Sequence, residues 1–571
     1  MPSKLNIEHA RMEELRSSYE EVLEKLAADE IIPRIWRGDH TVWSDSPEEI
    51  ENRLGWLDLP RSMNDEISCI IALRDEIRAL GWDRAVLLGM GGSSLAPELF
   101  ARTFPGDGRV RLDVIDTTDP AAVLDAENDI DFARTLFIVA TKSGTTVETV
   151  SLFKYFHKRA LEKLGKEAAS HFVAITDPGS ALETTAKDLG FRATFLNDPN
   201  LGGRYSALSH FGLVPAGIIG VDLERLLDRA REAANACGPG TPVGENPAAL
   251  LGAFMGAHAR EGWNILRLAM SESVAAFADW VEQLIAESTG KSGTGLLPAP
   301  VARPLEVMSQ MDRWLLAAMR VESEPPGAEL LRRALVPSAR LELSDPYELG
   351  GQFFVWEMAT AIAGHLLGIH PFNQPNVESA KARARDMVEA YRREGRLPER
   401  EPAFTDGGIA VYGDVTGNTI EEVRERFRGI GALSRYSAIE EMPYRYAAFQ
   451  VYLPPGPRQD ELLDALWERW ENDLHLPTTV GYGPRFLHST GQLHKGDAGK
   501  GLFLQITADH PRDARIPDEP GSDEGALTFG TLIDAQASGD MRALEDAGRT
   551  VVRFHLGENI EGGLKRLAEV D

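Results

Sequence analysis

Short apolar runs that alternate with helical patterns constrain the fold of this chain more than any other feature. The runs are rich in β-branched residues, and helical patterns lie between them. Such strands are typical of a parallel sheet that helices cover on both faces. The sequence therefore predicts a doubly wound α/β unit within residues 61–237. The predicted strands are AVLLGM (85–90), RLDVID (111–116), TLFIVA (135–140), HFVAITD (171–177) and ATFLND (193–198).

A second alternating block follows the Gly- and Pro-rich stretch GPGTPVGENP at 238–247. Two similar α/β units in tandem indicate an internal duplication, with the second unit over residues 238–395. Its predicted elements are the strands NILRLAM (264–270), GLLPAP (295–300), RWLLAAMRV (313–321) and ARLELSD (339–345), and helices at 273–288, near 327–336, at about 347–368 and at about 376–394.

The two ends of the chain are predicted to form separate parts. At 571 residues, the chain has room for roughly three to four domains. Residues 1–60 begin with a charged amphipathic pattern, which predicts an N-terminal helical segment. They contain no apolar core of a signal peptide. After a second linker at 395–408, residues 396–571 predict a C-terminal α/β extension of unspecified topology.

Composition excludes several classes of partner. The net charge of −28 opposes binding to nucleic acid and to anionic membranes, which need basic surfaces. No segment approaches the ~18 consecutive apolar residues of a membrane-spanning helix. Cys69 and Cys237 form neither a metal-binding spacing nor a disulfide framework, so no metal is expected and a reducing, cytoplasmic location fits best.

Two loops at the predicted carboxyl ends of strands carry unusual residues. Ligands bind at this edge of an open parallel sheet. In GMGGSS (89–94), glycines let backbone amides approach a ligand, and the helix behind them presents free N–H groups that suit phosphate. The loop matches neither the P-loop nor the dinucleotide-binding pattern, so a purely structural turn is an equal alternative.

The second loop, TKSGTT (141–146), concentrates hydroxyl groups. Thr141, Ser143, Thr145 and Thr146 have a simple alternative role, because such side chains commonly cap helices. One or two of them would suffice for a cap. Four hydroxyls and Lys142, beside a second phosphate-like loop, favour a cradle for a phosphomonoester.

These loops, GMGGSS and ATKSGTTVET, resemble those of the phosphoglucose isomerase family, whose members have the sugar isomerase fold. Three further stretches match family motifs in the same order. They are LGGRYS (201–206) for G-G-R-[FY]-S, ESTGK (287–291) for E-S-x-G-K, and FNQPNVESAK (372–381) for F-[DN]-Q-x-x-V-E-x-x-K. With HSTGQLHKG (488–496), the arrangement is most similar to the isomerase half of bifunctional transaldolase–phosphoglucose isomerase proteins.

The resemblance implies an aldose–ketose isomerase that interconverts glucose 6-phosphate and fructose 6-phosphate in glycolysis and gluconeogenesis. The proton moves through an enediolate, which requires a base and a fixed cation and no metal or cofactor. The motifs assign Glu287 as the base and Arg204 as the cation that stabilises the enediolate oxygens. They assign sugar-phosphate binding to Gly92, Ser93, Thr141, Lys142, Ser143 and Thr146.

The resemblance also assigns Lys381 to ring opening and Gln374 to positioning of the sugar. The family's ring-opening histidine should lie between the last two motifs, but residues 292–364 contain no histidine. His365 lies in a predicted helix and is expected to be a packing residue. We therefore predict that His488, or else His494, reaches the sugar, either within one chain or across the interface of a homodimer.

Two other functions fit the same motifs. A dual phosphoglucose/phosphomannose isomerase would use the same chemistry. A non-catalytic sugar-phosphate sensor would need the phosphate loops but not Glu287, Arg204 and Lys381 together, so their joint presence favours an enzyme. The sequence shows no helix-turn-helix or basic arm that would bind DNA.

Overall fold

The computed structural model of the chain describes residues 4–9, 12–104, 108–301, 314–325, 336–398, 400–413, 415–434, 444–474 and 476–569. The chain divides into two compact units. The first comprises Met1–Asp116, Asp131–Phe153 and Arg159–Gln374, and the second comprises Thr117–Ile130, Lys154–Lys158 and Pro375–Asp571. The four-part division expected from the sequence is finer and stays a prediction. The helix predicted near 327–336 lies outside the described residues, apart from Val336.

The first unit contains two five-stranded sheets. In the first sheet, with the order β3-β2-β4-β5-β6, all neighbouring strands are parallel, as the apolar runs predicted. The second sheet has the order β1-β10-β9-β7-β8. The strands are β1 Lys4–Glu8, β2 Arg84–Leu88, β3 Arg111–Ile115, β4 Thr135–Ala140, β5 Phe172–Thr176, β6 Ala193–Leu196, β7 Ile265–Met270, β8 Leu297–Pro300, β9 Trp314–Arg320 and β10 Ser338–Glu342.

The structure of the N-terminus differs from the predicted helix. Residues Lys4–Glu8 form a strand that pairs antiparallel with β10, and the first helix begins only at Glu13. The sequence KLNIE alternates polar and apolar residues, which suits a strand with one buried face. Leu5 and Ile7 accordingly pack against the hydrophobic core. The helical prediction was wrong here because the charged pattern that follows was extended to the start of the chain.

The core of the first unit surrounds the helix Leu349–Leu366, which is buried along nearly its whole length. It packs against Leu223–Ala236 and Pro247–Arg260. The helices up to residue 374 are Glu13–Ala28, Ile31–Trp36, Leu59–Ser62, Ile67–Ala79, Leu95–Thr103, Pro120–Asp129, Val147–Leu164, Ala181–Leu189, His210–Ile218, Leu223–Ala236, Pro247–Arg260, Phe277–Thr289 and Leu349–Leu366, of which Pro120–Asp129 belongs to the second unit.

The second unit has a six-stranded sheet with the order β11-β12-β18-β15-β13-β14. Strands β14, β13, β15 and β18 are parallel, and β12 and β11 continue the sheet antiparallel. The strands are β11 Phe404–Asp406, β12 Ile409–Gly413, β13 Tyr446–Tyr452, β14 Thr478–Tyr482, β15 Gly501–Thr507 and β18 Thr550–His555, and β16 Arg515–Ile516 pairs separately with β17 Leu527–Thr528.

Its helices are Pro375–Glu394, Ile420–Ser434, Pro457–Leu474, Gly491–Gly496, Phe529–Asp546 and Ile560–Glu569. The predicted architecture, two parallel-sheet α/β units followed by a C-terminal α/β extension, is therefore confirmed. In the described part of the chain, no helix has the length and apolar character needed to cross a membrane.

Two histidines meet beneath the N-terminal strand. His9 Nδ1 lies 3.3 Å from His258 Nε2, and the two rings stack. His258 is 1% exposed, and its Nδ1 lies 2.6 Å from the Phe254 carbonyl oxygen. Burial lowers the pKa of His258 to about 4, and burial also lowers the pKa of His9. Both rings are therefore neutral in the folded protein at neutral pH.

We predict that His258 makes the first unit less stable in mild acid. The folded pKa is below the unfolded value of 6.5, so the unfolded chain binds the extra proton between pH 6.5 and 4. Stability is full above pH 6.5 and falls by about 3 kcal/mol as the pH falls to 4, since one pKa unit is about 1.4 kcal/mol. Urea unfolding at pH 7.5 and 5.0 measures this loss.

The variant His258→Phe, which cannot bind the proton, should show a smaller loss between the two pH values. Between pH 7.5 and 8.5 the variant and the parent protein should change equally, which provides the control. An undiminished loss in the variant at pH 5.0 would assign the acid sensitivity to other groups.

Candidate active site

A cleft of about 400 Å³ opens in the first unit, at the carboxyl ends of β4 and β5. Its volume is in the range of small-molecule sites. Four residues singled out from the sequence line it, namely Lys142, Ser143, Arg204 and Gln374. The structure adds residues that the sequence analysis missed: Glu49 and Arg53 from the N-terminal segment, and Asp177 to Ser180 from the loop after β5.

The hydroxyl groups of the TKSGTT loop bond one another. Thr141 Oγ1 donates to Thr146 Oγ1 at 3.1 Å, and the Ser143 and Thr145 hydroxyls lie 2.8 Å apart. Thr146 occupies the N-cap position of the helix Val147–Leu164, but among the described residues its side chain makes no capping hydrogen bond. Thr146 therefore does not serve as the simple cap that was the alternative. A helix N-terminus of this kind suits an anion.

Lys142 is held by a neighbouring carboxylate. Its Nζ forms an ion pair with Asp177 and donates to the Pro199 carbonyl oxygen at 3.3 Å. Burial raises the pKa of Asp177, and the hydrogen bond from Lys142 opposes this. The ammonium charge of Lys142 is thus largely compensated before a ligand arrives.

The GMGGSS loop contributes to the cleft by close packing. An added Cβ on Gly92 would lie 2.0 Å from the Gly203 carbonyl oxygen and 3.0 Å from the Arg204 nitrogen. Only glycine permits this approach, which places the loop against the segment that carries Arg204. Ser93, at 8% exposure, is buried beside it.

Arg204 is the most extensively bonded side chain of the site, and it is only 3% exposed. Its Nε donates to Ser288 Oγ at 2.7 Å. Its Nη2 donates to the carbonyl oxygens of Pro371 at 2.6 Å and Asn373 at 3.2 Å. Its Nη1 lies 3.4 Å from Gln374 Oε1. These bonds fix the guanidinium in one orientation.

Glu287 pairs with this guanidinium, with Oε1 3.0 Å from Arg204 Nη1. The carboxylate is 7% exposed, and its Oε2 accepts from Gln283 Nε2 at 3.2 Å. It lies near the end of the helix Phe277–Thr289. The predicted base and the predicted cation are therefore in direct contact.

The sequence analysis did not assign a role to Lys291, the last residue of the ESTGK motif. Its Nζ donates to the carbonyl oxygens of His370 at 2.8 Å and Asn373 at 2.5 Å, and to Asn373 Oδ1 at 3.1 Å. Burial and the nearby Arg204 charge lower its pKa. Lys291 and Arg204 thus hold the same turn, residues 370–374, from two sides.

His370, the first residue of this turn, was also missed. Its Nδ1 accepts from the Phe372 amide at 3.1 Å, and its Nε2 lies 3.0 Å from the Glu48 carbonyl oxygen. With Nδ1 as acceptor, Nε2 carries the proton and donates to Glu48. Burial lowers its pKa, so the ring is neutral and ties the N-terminal segment to the turn. His365 bonds the Val42 carbonyl oxygen at 2.7 Å, as expected of a packing residue.

Lys381 and His488 belong to the second unit. Lys381 lies on the helix Pro375–Glu394, with its Nζ 2.9 Å from Glu378 Oε1. His488, half-buried, ends the short helix Arg485–His488. Gln492, four residues on, accepts from the Asn376 and Val377 amides through Oε1 at 2.9 and 3.2 Å. The HSTGQLHKG segment is therefore bonded to the first turn of the helix that carries Lys381.

His494, the second candidate for ring opening, is buried within the second unit at 3% exposure. Its ring packs against Phe486 and Phe503. Burial and the neighbouring cations Lys495 and Arg549 lower its pKa. Of the two histidines, His488 is thus the one nearer to solvent. No group of metal-binding side chains occurs among the residues that the structure describes.

Comparison with known proteins identifies relatives for most of this chain. The family model for phosphoglucose isomerase matches residues 80–295, which include Gly92, Ser93, the TKSGTT loop, Arg204 and Glu287. The glucose-6-phosphate isomerase of Mycoplasmopsis pulmonis is 30% identical over 394 residues, or 59% of this chain and 90% of the relative. That of Carboxydothermus hydrogenoformans is 29% identical over 421 residues, with 62% and 90% covered.

Two solved structures share the fold. A hypothetical protein of Thermus thermophilus aligns with a TM-score of 0.58 and 25% identity, over 67% of this chain and all of that one. A glucose-6-phosphate isomerase of Chlamydia trachomatis aligns with a TM-score of 0.56 over 67% of this chain and 87% of that one. At 19% identity, the second likeness indicates a common fold and no more.

We predict that Gly92→Ala destabilises the first unit, because the new methyl group would overlap the Gly203 carbonyl. Overpacking of this kind typically costs about 1–3 kcal/mol. The matched control is Gly203→Ala, whose Cβ would meet no atom of the described residues within 4 Å. Thermal unfolding should show a clear decrease in Tm for the first variant and little change for the second. Equal Tm values would mean that the loop backbone moves freely.

Proposed function

The chain belongs to the phosphoglucose isomerase family, and we propose that its cleft isomerises the sugar phosphate with Glu287 as the base and Arg204 as the stabilising cation. The reaction is the interconversion of glucose 6-phosphate and fructose 6-phosphate, a step of glycolysis and gluconeogenesis. The observation that supports the two roles is the buried contact of 3.0 Å between these side chains. Arg204 lines the cleft, and Glu287 contacts Arg204.

In the proposed mechanism, the Glu287 carboxylate takes the proton from C2 of the open-chain aldose and returns it to C1. Negative charge develops on the oxygens of the enediolate between the two steps. The Arg204 guanidinium, fixed by Ser288 and by the turn at 371–373, would stabilise this charge through its nearby positive charge. Burial of the pair strengthens the effect, since charges interact more strongly away from water.

The TKSGTT loop would hold the phosphate. Support comes from Ser143 in the lining of the cleft and from the helix N-terminus behind the loop, a position that suits an anion and where the Thr146 side chain makes no capping hydrogen bond among the described residues. Thr141, Lys142, Gly92 and Ser93 would shape the cradle around them. Binding energy at the phosphate then orients C1 and C2 against Glu287.

Ring opening is proposed for Lys381 and His488, with Gln374 positioning the sugar. The proposal is supported by the bonds of Gln492 to the Asn376 and Val377 amides, which bring the His488 segment to the helix of Lys381. Gln374 precedes this helix directly and contacts Arg204 at 3.4 Å.

Isomerase activity is favoured over a sensor, because relatives over most of this chain are named glucose-6-phosphate isomerase. Additional activity on mannose 6-phosphate is the remaining alternative for the substrate range. A homodimer and a cytoplasmic location stay predictions from the sequence.

We predict that Glu287→Gln lowers kcat for the conversion of fructose 6-phosphate by a factor on the order of 10² or more, the usual scale for general-base catalysis. Glutamine keeps the size and hydrogen bonding of the side chain but cannot take the proton. A coupled assay for glucose 6-phosphate measures the rate, and exchange of the C2 proton with solvent should fall in parallel. Glu282→Gln, on the same helix, provides the matched control. Near-normal turnover in the first variant would remove Glu287 from the mechanism.

We predict that His488→Ala loses activity only on sugars that must open a ring. The test compares fructose 6-phosphate with its 5-deoxy analogue, which cannot close a ring because the C5 hydroxyl is missing and O6 carries the phosphate. Turnover of the first should fall, while C2–C1 proton exchange on the second persists. Equal losses on both compounds would indicate a structural role for His488, and no loss on either would exclude it from the reaction.

A further inference from the structure

The N-terminal segment is bonded to the strand-like stretch that leads into Arg204. Leu54 pairs with Leu201 in an antiparallel bridge, and the Gly55 amide donates to the Asn200 carbonyl oxygen at 3.0 Å. A Cβ on Gly55 would lie 2.8 Å from Asp198 Oδ2, so the approach requires glycine. These contacts fix the backbone directly after Arg53.

Arg53 reaches into the cleft from this anchored position. Its side chain is 21% exposed and belongs to the lining, with its Cδ 3.8 Å from the place that a Cβ on Gly202 would occupy. Its charge acts on Asp177, whose pKa it helps to lower against the effect of burial. Arg53 therefore faces the same space as the Lys142–Asp177 pair.

The charges of the cleft are unequally compensated. Among the described residues, three cations line it: Arg53, Lys142 and Arg204. Lys142 contacts Asp177 directly, and Arg204 contacts Glu287 at 3.0 Å. The carboxylate paired with Arg53 is that of Glu49 at 3.8 Å, a separation at which no direct hydrogen bond forms. A phosphate dianion that enters the cleft thus finds in Arg53 the least compensated charge.

We propose that Arg53 is a second phosphate-binding cation of this enzyme. It would bind the 6-phosphate of the substrate together with the TKSGTT loop. The inference rests on the proposed function. A guanidinium can bind two phosphate oxygens at once, which Lys142 cannot do. The N-terminal segment, which the sequence left without a function, thereby becomes part of the substrate site.

The test measures KM for fructose 6-phosphate and competitive inhibition by inorganic phosphate in Arg53→Gln. Both KM and the inhibition constant should rise by about 10- to 100-fold, the range for loss of a charged hydrogen bond, while kcat stays within about threefold. Arg53→Lys keeps the charge but cannot bind two phosphate oxygens at once. Its KM and inhibition constant should lie between those of Arg53→Gln and those of the parent protein. The matched control is Arg61→Gln, since Arg61 is nearby in the sequence but bonds Asn235 and does not line the cleft.

A second variant keeps the proposal testable if Arg53→Gln folds poorly. Glu49→Gln removes the only carboxylate paired with Arg53 among the described residues and should lower KM and the inhibition constant of phosphate, whereas no decrease in either would contradict the proposal. A reduced kcat with unchanged KM and unchanged phosphate inhibition in Arg53→Gln would overturn the proposal.

Failure of the underlying phosphate site is recognised separately with the double variant Ser143→Ala, Thr146→Ala. If this variant binds phosphate weakly and Arg53→Gln does not, the TKSGTT cradle stands and the role of Arg53 is refuted. If the double variant retains full phosphate inhibition, the phosphate does not bind at TKSGTT, and the proposed function of that loop fails instead.

Discussion

The buried guanidinium of Arg204 is the interaction on which the rest of the site depends. Taking a charge out of water costs several kcal/mol, and the cost is offset only when the charge is paired and its N–H groups are bonded. Here Glu287 supplies the pair, and Ser288 and the turn at 371–373 supply acceptors. Loss of one partner of a buried pair typically costs about 3–5 kcal/mol, so the site and the fold around it are stabilised together.

A second buried basic side chain, Lys291, bonds the same turn as Arg204. Lys291 and Arg204 both donate to the Asn373 carbonyl oxygen, at 2.5 and 3.2 Å. Lys291, Arg204 and the Glu287 carboxylate thus act on one another. Burial and the Arg204 charge lower the pKa of Lys291, and the charges of Glu287 and Glu49 oppose this.

The sequence predicted those parts of the site that lie at the ends of strands. Lys142 and Ser143 of TKSGTT line the cleft at the carboxyl edge of the sheet, whereas residues 177–180 after β5 were not singled out. The E-S-x-G-K and G-G-R motifs singled out Glu287 and Arg204, which the structure brings into contact. Arg53 was beyond such reasoning, because its place depends on the bridge from Leu54 to Leu201, across about 150 residues of chain. Strand β1 was missed for a different reason, since its local alternation KLNIE was overridden by the charged helical pattern that follows.

Polar contacts within the C-terminal unit anchor the HSTGQLHKG segment, which carries His488. Gln450, Gln505 and Arg553 are aligned across neighbouring strands, and Arg553 Nε donates to Gln505 Oε1 at 2.6 Å. Lys495, from the HSTGQLHKG segment, forms a buried pair of 2.5 Å with Asp540. A buried ion pair holds its segment in place, because loss of either partner would leave an uncompensated buried charge. A segment anchored in this way through Lys495, and through Gln492 to the helix of Lys381, can present His488 with a fixed orientation, which proton transfer to a ring oxygen requires.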